Sequence, residues 1–398
     1  MKLELHNVGQ LKSASVEFGD LTVLVGPQAS GKSIFLQFLK LCVDTRRVVS
    51  DLRKHGQVWQ KKETLTAFLD LYFGEGMRAL WQVGEGGSQV VENGAAVDLA
   101  AKLNVRVGKK DPEESLFYIP AQRVLALNQQ GWWRHFGDYR AVDPYVVKAF
   151  SENIRLLMEA GLGSRKEGGL FPQKNLLKNE IRKEIDKAIF HGFRLVLDDL
   201  QGQKRLILKK NGTSGIPFMA WSAGQREFVP LLLGLYWLLP SAKVPKRKSV
   251  DWVIIEEIEM GLHPRAISAA MIAVLDLVSR GYKVILSSHS PHVLDIMWGI
   301  RMIQKHNASA ELVLEMFDLN KTFASKNIAS AMLDKSLRTF YFDPEPKKGA
   351  SNTTDITELD PGADSEIVSG WGGLSEFSGR IADIVAKVVG QDTAENRK

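Results

Sequence analysis

The sequence holds a single cysteine, Cys42, in 398 residues, so no internal disulfide can close and the fold must rest on its core. A lone thiol, with no charged-then-apolar leader segment at the N-terminus, leads to the expectation of a reducing, cytoplasmic setting. Long hydrophobic runs are also missing. The longest apolar stretch, residues 228–239, is interrupted by Pro230 and Gly234 and falls well short of the roughly 20 residues that cross a bilayer, which excludes a membrane protein of the helical kind. There is no sustained heptad pattern, so no protruding coiled-coil arm is expected. Charge of one sign is scarce: a net charge of +6 permits a nucleic-acid partner, but solvated lysines explain it equally well. What is present, 44% hydrophobic and 25% charged residues, is the make-up of a globular chain able to form one large core with satellite lobes.

The chain opens with strand-like alternation at residues 3–5 and 15–18, followed by the nearly all-apolar run at 21–25, which reads as a buried strand. Apolar positions then recur at Ile34, Phe35, Phe38, Leu39 and Leu41, a helical spacing. Later, residues 252–255 and 284–286 form short apolar runs on either side of a helical stretch at 266–279, and strand–helix–strand order predicts a parallel sheet. Residues about 80–110, with glycines and alternating valines, predict hairpins and a small β lobe. Residues about 144–190 carry helical patterns, at Ile154, Leu157 and Met158 and again at Ile181, Ile185 and Ile189, and predict a compact helical lobe. After Tyr341, a stretch rich in Asp, Pro, Gly, Ser and Thr reads as a linker.

Four motifs carry chemistry. Gly26, Pro27, Gln28, Ala29, Ser30, Gly31, Lys32 and Ser33 lie between a strand and a helix, where glycines let backbone N–H groups face an anion and the helix dipole adds positive charge. Lys32 is expected to reach the β- and γ-phosphates of ATP and Ser33 to place its hydroxyl on Mg²⁺. At the end of the apolar run 252–255 stand Glu256 and Glu257. Side chains alternate across a strand, so adjacent acids can take different tasks: Glu256 on Mg²⁺, Glu257 polarising the attacking water. After the next strand comes Ser287-Ser288-His289-Ser290-Pro291, whose imidazole can bond a phosphate oxygen or the lytic water. The fourth motif, Ser222, Ala223, Gly224 and Gln225, taken alone is a helix cap that leaves backbone N–H groups open to an anion.

Together and in this order, the motifs resemble those of the ABC-type ATPases, and more closely the branch of RecF, SMC and OLD-family proteins within the wider AAA group. Residues 26–33 look like Walker A, Ser222 to Gln225 like the signature, Ile254 to Glu257 like Walker B, and His289 like the switch histidine. The resemblance spans about residues 1–300 and implies an α/β fold: an ATPase head with a mixed or parallel core sheet, a small β lobe and a helical signature lobe. It places the ATPase domain at 1–317, with insertions at about 50–115 and 144–220, and an extension at 318–398 with a linker at about 343–370 and a short helix at about 374–389. By the same resemblance Gln122 touches Mg²⁺, Arg123 serves the phosphates or the dimer, and the signature of one subunit closes over the nucleotide of another, so ATP hydrolysis implies a homodimer or higher homo-oligomer. Two departures stand out. Glu256 occupies a position where aspartate is usual, which moves the metal-facing oxygen by about 1 Å, and Ala223 replaces a glycine; slow turnover is the expectation. About 100 residues separate Gln122 from Ser222, too few for a coiled-coil arm.

The region after His289 lacks the Asp-x-Asp pair of a Toprim nuclease, so no nuclease is expected in this chain. The pattern is similar to the stand-alone ATPases of anti-phage defence systems such as the Paris type, which implies a switch that holds a separate protein effector, a toxin or nuclease. The alternative is a RecF-like repair ATPase that clamps DNA, for which Lys243, Lys246, Arg247 and Lys248 offer a basic cluster. A transporter subunit ranks third.

Overall fold

The computed structural model describes the chain apart from residues 58, 60–63, 106–107, 109–110, 130, 161, 163–168, 174, 211, 213, 240–245, 348–349, 375–379, 382–383 and 386–398. The alternating start forms β1 (Lys2–Val8) and β2 (Leu11–Glu17), paired antiparallel with Leu3 opposite Val16 and Leu5 opposite Ala14. The all-apolar β3 (Leu21–Val25) is buried along its whole length, as a strand covered on both faces must be. It leads through the phosphate loop into α1 (Lys32–Lys54), and α2 (Thr64–Phe73) follows. The short strands β4 (Gln89–Glu92) and β5 (Ala95–Ala96) turn at Asn93 and Gly94, both at positive φ, the backbone that a two-residue hairpin requires. This hairpin is not a lobe of its own: β4 pairs with β1, giving a four-stranded sheet β2-β1-β4-β5.

Then come α3 (Leu99–Leu103), β6 (Leu116–Ile119) and α4 (Tyr145–Glu159). The stretch expected to be helical departs from that expectation. Beside α4 and α5 (Asn179–Ile185) it holds β7 (Gly169–Phe171), β8 (Arg194–Leu200), β9 (Gln203–Lys209) and β10 (Ile216–Pro217) in one antiparallel sheet. The physical reason is period-two patterning: Leu195 pairs with Leu208 and Leu197 with Leu206, which seals one face of a hairpin against the helices.

The chain continues with α6 (Ala223–Leu238), β11 (Trp252–Ile255), α7 (Pro264–Ser279), β12 (Lys283–Ser288), α8 (Pro291–Lys305), α9 (Glu311–Met316) and α10 (Phe323–Leu333), then β13 (Leu337–Phe342), β14 (Thr353–Asp355) and α11 (Glu366–Ser369). The central sheet runs β14-β13-β3-β12-β11-β6, parallel except for the edge strand β14. This is the α/β class with a mixed core sheet read from the sequence. Alternate residues feed different cores. Val253 and Ile255 face α6 and α7, whereas Ile254, with Tyr118 and Ile285, faces α1.

The segment after residue 317 is no appendage, because β13 lies beside β3 in the middle of this sheet. The expected linker at 343–370 is also built in. Its polar residues are fixed by hydrogen bonds: the Asn352 amide oxygen accepts from Lys12 N (2.6 Å) and Ser13 N (3.2 Å), and Thr353 Oγ1 accepts from Ser15 N (2.8 Å). Ile356, Leu359 and Trp371 are buried in the core beneath it. Turn-forming residues that find backbone partners are ordered, whatever their composition suggests. The helix expected at 374–389 lies largely outside the described residues. Among those that are described, no helix is long and apolar enough to cross a membrane.

Candidate functional site at the carboxyl edge of the central sheet

Four strands end at one edge. Ser288 stands opposite Val25, Leu286 opposite Ile255, and Ile255 opposite Ile119, so the loops after β3, β12, β11 and β6 emerge side by side, where open α/β sheets bind ligands. The phosphate loop leaves β3 at Gly26, whose φ is 145° and whose added Cβ would come within 2.3 Å of Phe342 O on β13. Gly31, at φ 93°, precedes α1, and a Cβ there would meet Leu11 at 2.4 Å. Both glycines are thus demanded by close approach as well as by backbone. Ala29 has φ 59°, an uncommon conformation for a residue with a Cβ, and its carbonyl accepts a hydrogen bond from Gln10 Nε2 at 3.1 Å. Lys32 curls into its own loop: Nζ donates to Gly26 O at 2.7 Å, Pro27 O at 2.8 Å and Ser30 Oγ at 3.2 Å. Burial pushes this ammonium down to about 8, with Glu257, Glu259 and Glu256 pulling the other way. The resulting cavity, of about 190 Å³, is lined by Gln10, Gln28, Ala29, Ser30, Gly31, Lys32, Ser33, Ile34, Glu257 and His289.

The two adjacent acids sit in opposite environments. Glu256 continues the face of Ile254 and is 2% exposed. Its Oε2 accepts from Ala121 N at 3.1 Å, while Oε1 is buried with no hydrogen bond of good geometry. Burial raises its affinity for a proton; the nearby hydroxyls of Ser33 and Tyr118 and the Ala121 N–H favour the ion. An unpaired carboxylate oxygen next to the Ser33 hydroxyl, just behind the cavity of residues 28–33, is a hard-oxygen donor set that fits Mg²⁺, an ion that takes few protein ligands when phosphates supply the rest. Glu257 has left the strand at φ 42°, with its N–H donating to Ser287 Oγ at 3.1 Å. Its Oε1 lies 3.4 Å from His289 Nε2. The His289 hydrogen bond, aided by Lys32 and Arg123 and opposed by burial, holds this carboxyl below the usual carboxylate range. Glu259 fixes the histidine's backbone, its Oε1 accepting from His289 N.

Arg123 departs from its expected place. Expected at the phosphates or a dimer face, it is 0% exposed and faces inward. Nε donates to Glu227 O at 3.0 Å on α6, Nη1 to Glu256 O at 2.9 Å and Nη2 to Glu257 O at 3.2 Å. A guanidinium that bonds three main-chain carbonyls ties the signature helix to the acidic turn. A short 3₁₀ turn, Arg123–Ala126, rotates the side chain into the protein. Gln122, one residue earlier, is exposed and does not line the phosphate-loop cavity.

Ser222 caps α6: its Oγ accepts from Gln225 N at 3.3 Å, and Gln225 Oε1 accepts from Ser222 N at 3.2 Å, a reciprocal capping box. Gly224 packs against the turn after Glu257, where an added Cβ would sit 3.0 Å from Gly261 O. Ser222 and Ala223 are exposed, and none of Ser222, Ala223, Gly224 and Gln225 lines the phosphate-loop cavity. The structure therefore gathers residues 28–33, Glu257 and His289 around one cavity, sets Glu256 behind it, and places the signature elsewhere on the surface. Three contributors have no role in the sequence reading: Gln10, a single residue in a distant turn that gives no signal; Ser287, present there only within the segment around His289; and Glu259, which follows the paired acids by two positions. Within the basic cluster, Lys246 pairs with Asp251 at 2.7 Å, the Arg247 guanidinium donates to Trp237 O at 2.8 Å and stacks 3.8 Å over that ring, and Lys248 is exposed. Lys243 lies outside the described residues.

No curated protein matches this chain in sequence. Among solved structures, it is similar to an SMC head bound to the C-winged helix domain of ScpA, with 12% identity over 89% of this chain and 96% of that one at a TM-score of 0.40. It is also similar to the SMC head domain from Thermotoga maritima, with 12% identity over 89% of this chain and 97% of that one at a TM-score of 0.31. A third likeness, at 14% identity, is to an SMC head with an extended coiled coil bound to the C-terminal domain of ScpA, derived from Pyrococcus furiosus; it covers 74% of this chain and 90% of that one at a TM-score of 0.29. Residues 157–295, which hold α6, the paired acids and His289, match the family described as "AAA domain, putative AbiEii toxin, Type IV TA system".

Proposed function

We propose that this chain is an ABC-type ATPase whose nucleotide site is completed by a second copy of itself. The observation that carries the reading is the wall shared by the phosphate loop and Glu257, with Glu257 Oε1 3.4 Å from His289 Nε2 and Glu256 buried against Ser33. ATP lies with its phosphates along the N–H groups of residues 28–33. Lys32 exchanges its loop carbonyls for the β- and γ-phosphates. Ser33 and Glu256 would hold Mg²⁺, which when bound would neutralise phosphate charge. Glu257, kept ionised, accepts a hydrogen bond from the attacking water. As the water oxygen bonds to the γ-phosphorus, the bond from that phosphorus to the β–γ bridging oxygen breaks, the oxygen leaves on ADP with the electron pair, and one proton of the water passes by way of Glu257 to the phosphate. His289 steadies Glu257, and the exposed N-terminus of α6 from the second copy covers the γ-phosphate.

Glu257→Gln should retain ATP binding while phosphate release falls about 100-fold or more, with the protein trapped as a dimer on size exclusion in ATP. Wild-type turnover in that variant overturns the base assignment; a strictly monomeric ATP-bound form overturns the composite site.

The finer reading is a switch: ATP-dependent closure holds or releases a separate protein effector in a defence or toxin system. Its supports are the missing nuclease motif and the toxin-related description of the family that residues 157–295 match. Co-expression with the products of neighbouring genes tests it. A neighbour that co-purifies in an ATP-dependent way supports the switch, and failure of every neighbour to bind or to alter toxicity overturns it. The DNA-clamping alternative has less to support it, because Lys246 and Arg247 are engaged within the chain, while Lys248 is exposed; ATP-dependent DNA binding that weakens steeply with salt would favour it.

A further inference from the structure

A larger cavity lies away from the phosphate loop and shares no lining residue with it. About 640 Å³ in volume, it opens between α5 and the start of β8 and is lined by Pro172, Arg182, Lys183, Asp186, Phe193 and Arg194, with Gly192 at its rim. Its wall is cationic. Arg182 is held in place, Nη2 donating to Asn179 Oδ1 at 2.8 Å and Nη1 to Gln173 O at 3.3 Å. Lys183 and Arg194 are exposed and have no acidic partner among the described residues. The acid in the lining, Asp186, already accepts from Gly192 N at 3.0 Å. Half-buried Phe193 sets an aromatic face into this wall, with Lys210 Nζ 5.4 Å from the ring centroid.

The β8–β9 hairpin supplies an internal comparison. Of its charged cross-strand pairs, Asp198 faces Arg205 and Asp199 faces Lys204, but Arg194 faces Lys209. The first pair closes a salt bridge at 2.6 Å. Like charges directly opposite each other destabilise a hairpin, and the like-charged pair is the one at the cavity. An anion seated there would remove that repulsion. The volume exceeds what a bare phosphate needs and lies within the range of small-molecule sites, and a ring face among cations is the combination that takes a base together with its phosphate.

We propose that this cavity binds a nucleotide unit, free or carried in a single strand, with phosphate against Lys183 and Arg194 and the base on Phe193. The proposal is independent of the ATPase reading, since it uses none of the same residues. Fluorescence anisotropy with a labelled oligothymidylate of about 12 nucleotides tests it on the full chain. Lys183→Gln with Arg194→Gln should weaken binding at least tenfold and flatten the salt dependence by roughly one to two in log–log slope. Phe193→Ala should weaken it about fivefold or more, while Lys248→Gln on the other basic segment should leave it unchanged. Melting curves confirm that each variant is folded. Competition by thymidine monophosphate and by ATP, run in the Lys32→Ala background so that the phosphate loop is silent, separates the sources: displacement at comparable affinity assigns a free nucleotide, and displacement by the strand alone assigns single-stranded nucleic acid. Unaltered oligonucleotide binding in the folded double variant overturns the proposal. So does polyglutamate competing as well as the oligonucleotide, since the site would then read charge without a base.

Discussion

The carboxyl edge of the central sheet and the N-terminus of α6 both end in loops or caps with the backbone N–H groups of a helix start, but they are built differently. At the sheet edge the loops are tied to one another: Gln10 holds Ala29, Glu259 holds His289, Ser287 holds Glu257, and the paired acids sit against Ser33 and His289. At α6 the bonds are local, with Ser222 and Gln225 capping each other and Ser222 and Ala223 open to solvent. One region is organised to bind and polarise, the other to be presented outward. Arg123 is the link between them, one guanidinium bonding Glu227 O on α6 and the carbonyls of both acids. Under the proposed function, this link is the route by which a second copy docked on α6 would reach the backbone that carries Glu257.

The sharpest way to break the comparison is to disable each region separately. Lys32→Ala should reduce ATP affinity by about 100-fold or more, because the loop loses its cation and the phosphates lose a charge-assisted bond. Titration of a fluorescent ATP analogue measures this, and near-normal affinity would show that the curled lysine is structural. Ser222→Arg should do the reverse, leaving ATP affinity of the monomer within about twofold while turnover falls about tenfold or more, since a bulky cation on an exposed cap obstructs a partner without touching the chain's own cavity. If that variant hydrolyses ATP normally, the outward-facing region has no part in the reaction.

The division between tied and presented regions also marks what could be read in advance. That residues 26–33, Glu256, Glu257 and His289 are neighbours was legible because each follows an apolar strand, and parallel strands deliver their ends to one edge. Alternation along β11 foretold that Glu256 and Glu257 would part company. Arg123 was misplaced because adjacency to Gln122 says nothing about direction; the 3₁₀ turn that swings it inward is set by packing on α6. Gln10 was illegible, being brought to Ala29 by the β1–β2 turn rather than by any motif. The hairpin β8–β9 was masked by helical patterns before it, and the polar 343–370 segment by a composition that signals looseness until Asn352 and Thr353 find their backbone partners.

The link itself yields a smaller effect. Arg123→Ala removes three side-chain to main-chain hydrogen bonds; Glu257 O keeps Met260 N, so the main cost is the donor lost to buried Glu256 O, about 1–3 kcal/mol, and the melting temperature should fall by a few degrees and turnover by about tenfold, with ATP affinity little changed. Arg123→Lys, which keeps a charge but cannot fork to three carbonyls, should recover stability better than turnover. Equal recovery of both would make Arg123 a packing residue only.

The smallest expected effect tests the electrostatics of the tied region. The Lys32 ammonium, pushed down to about 8 by burial, is protonated below that pH and increasingly neutral above it. Phosphate prefers the cation, so ATP affinity should be flat at lower pH and then weaken by up to about tenfold per pH unit above pH 8. Glu257 titrates far from this range, held below the usual carboxylate range by His289, so turnover at saturating ATP should stay level while the apparent affinity declines. Lys32→Arg keeps its charge at every accessible pH and should lose the decline even if its absolute affinity is lower. A decline that persists in Lys32→Arg would assign the titration to another group.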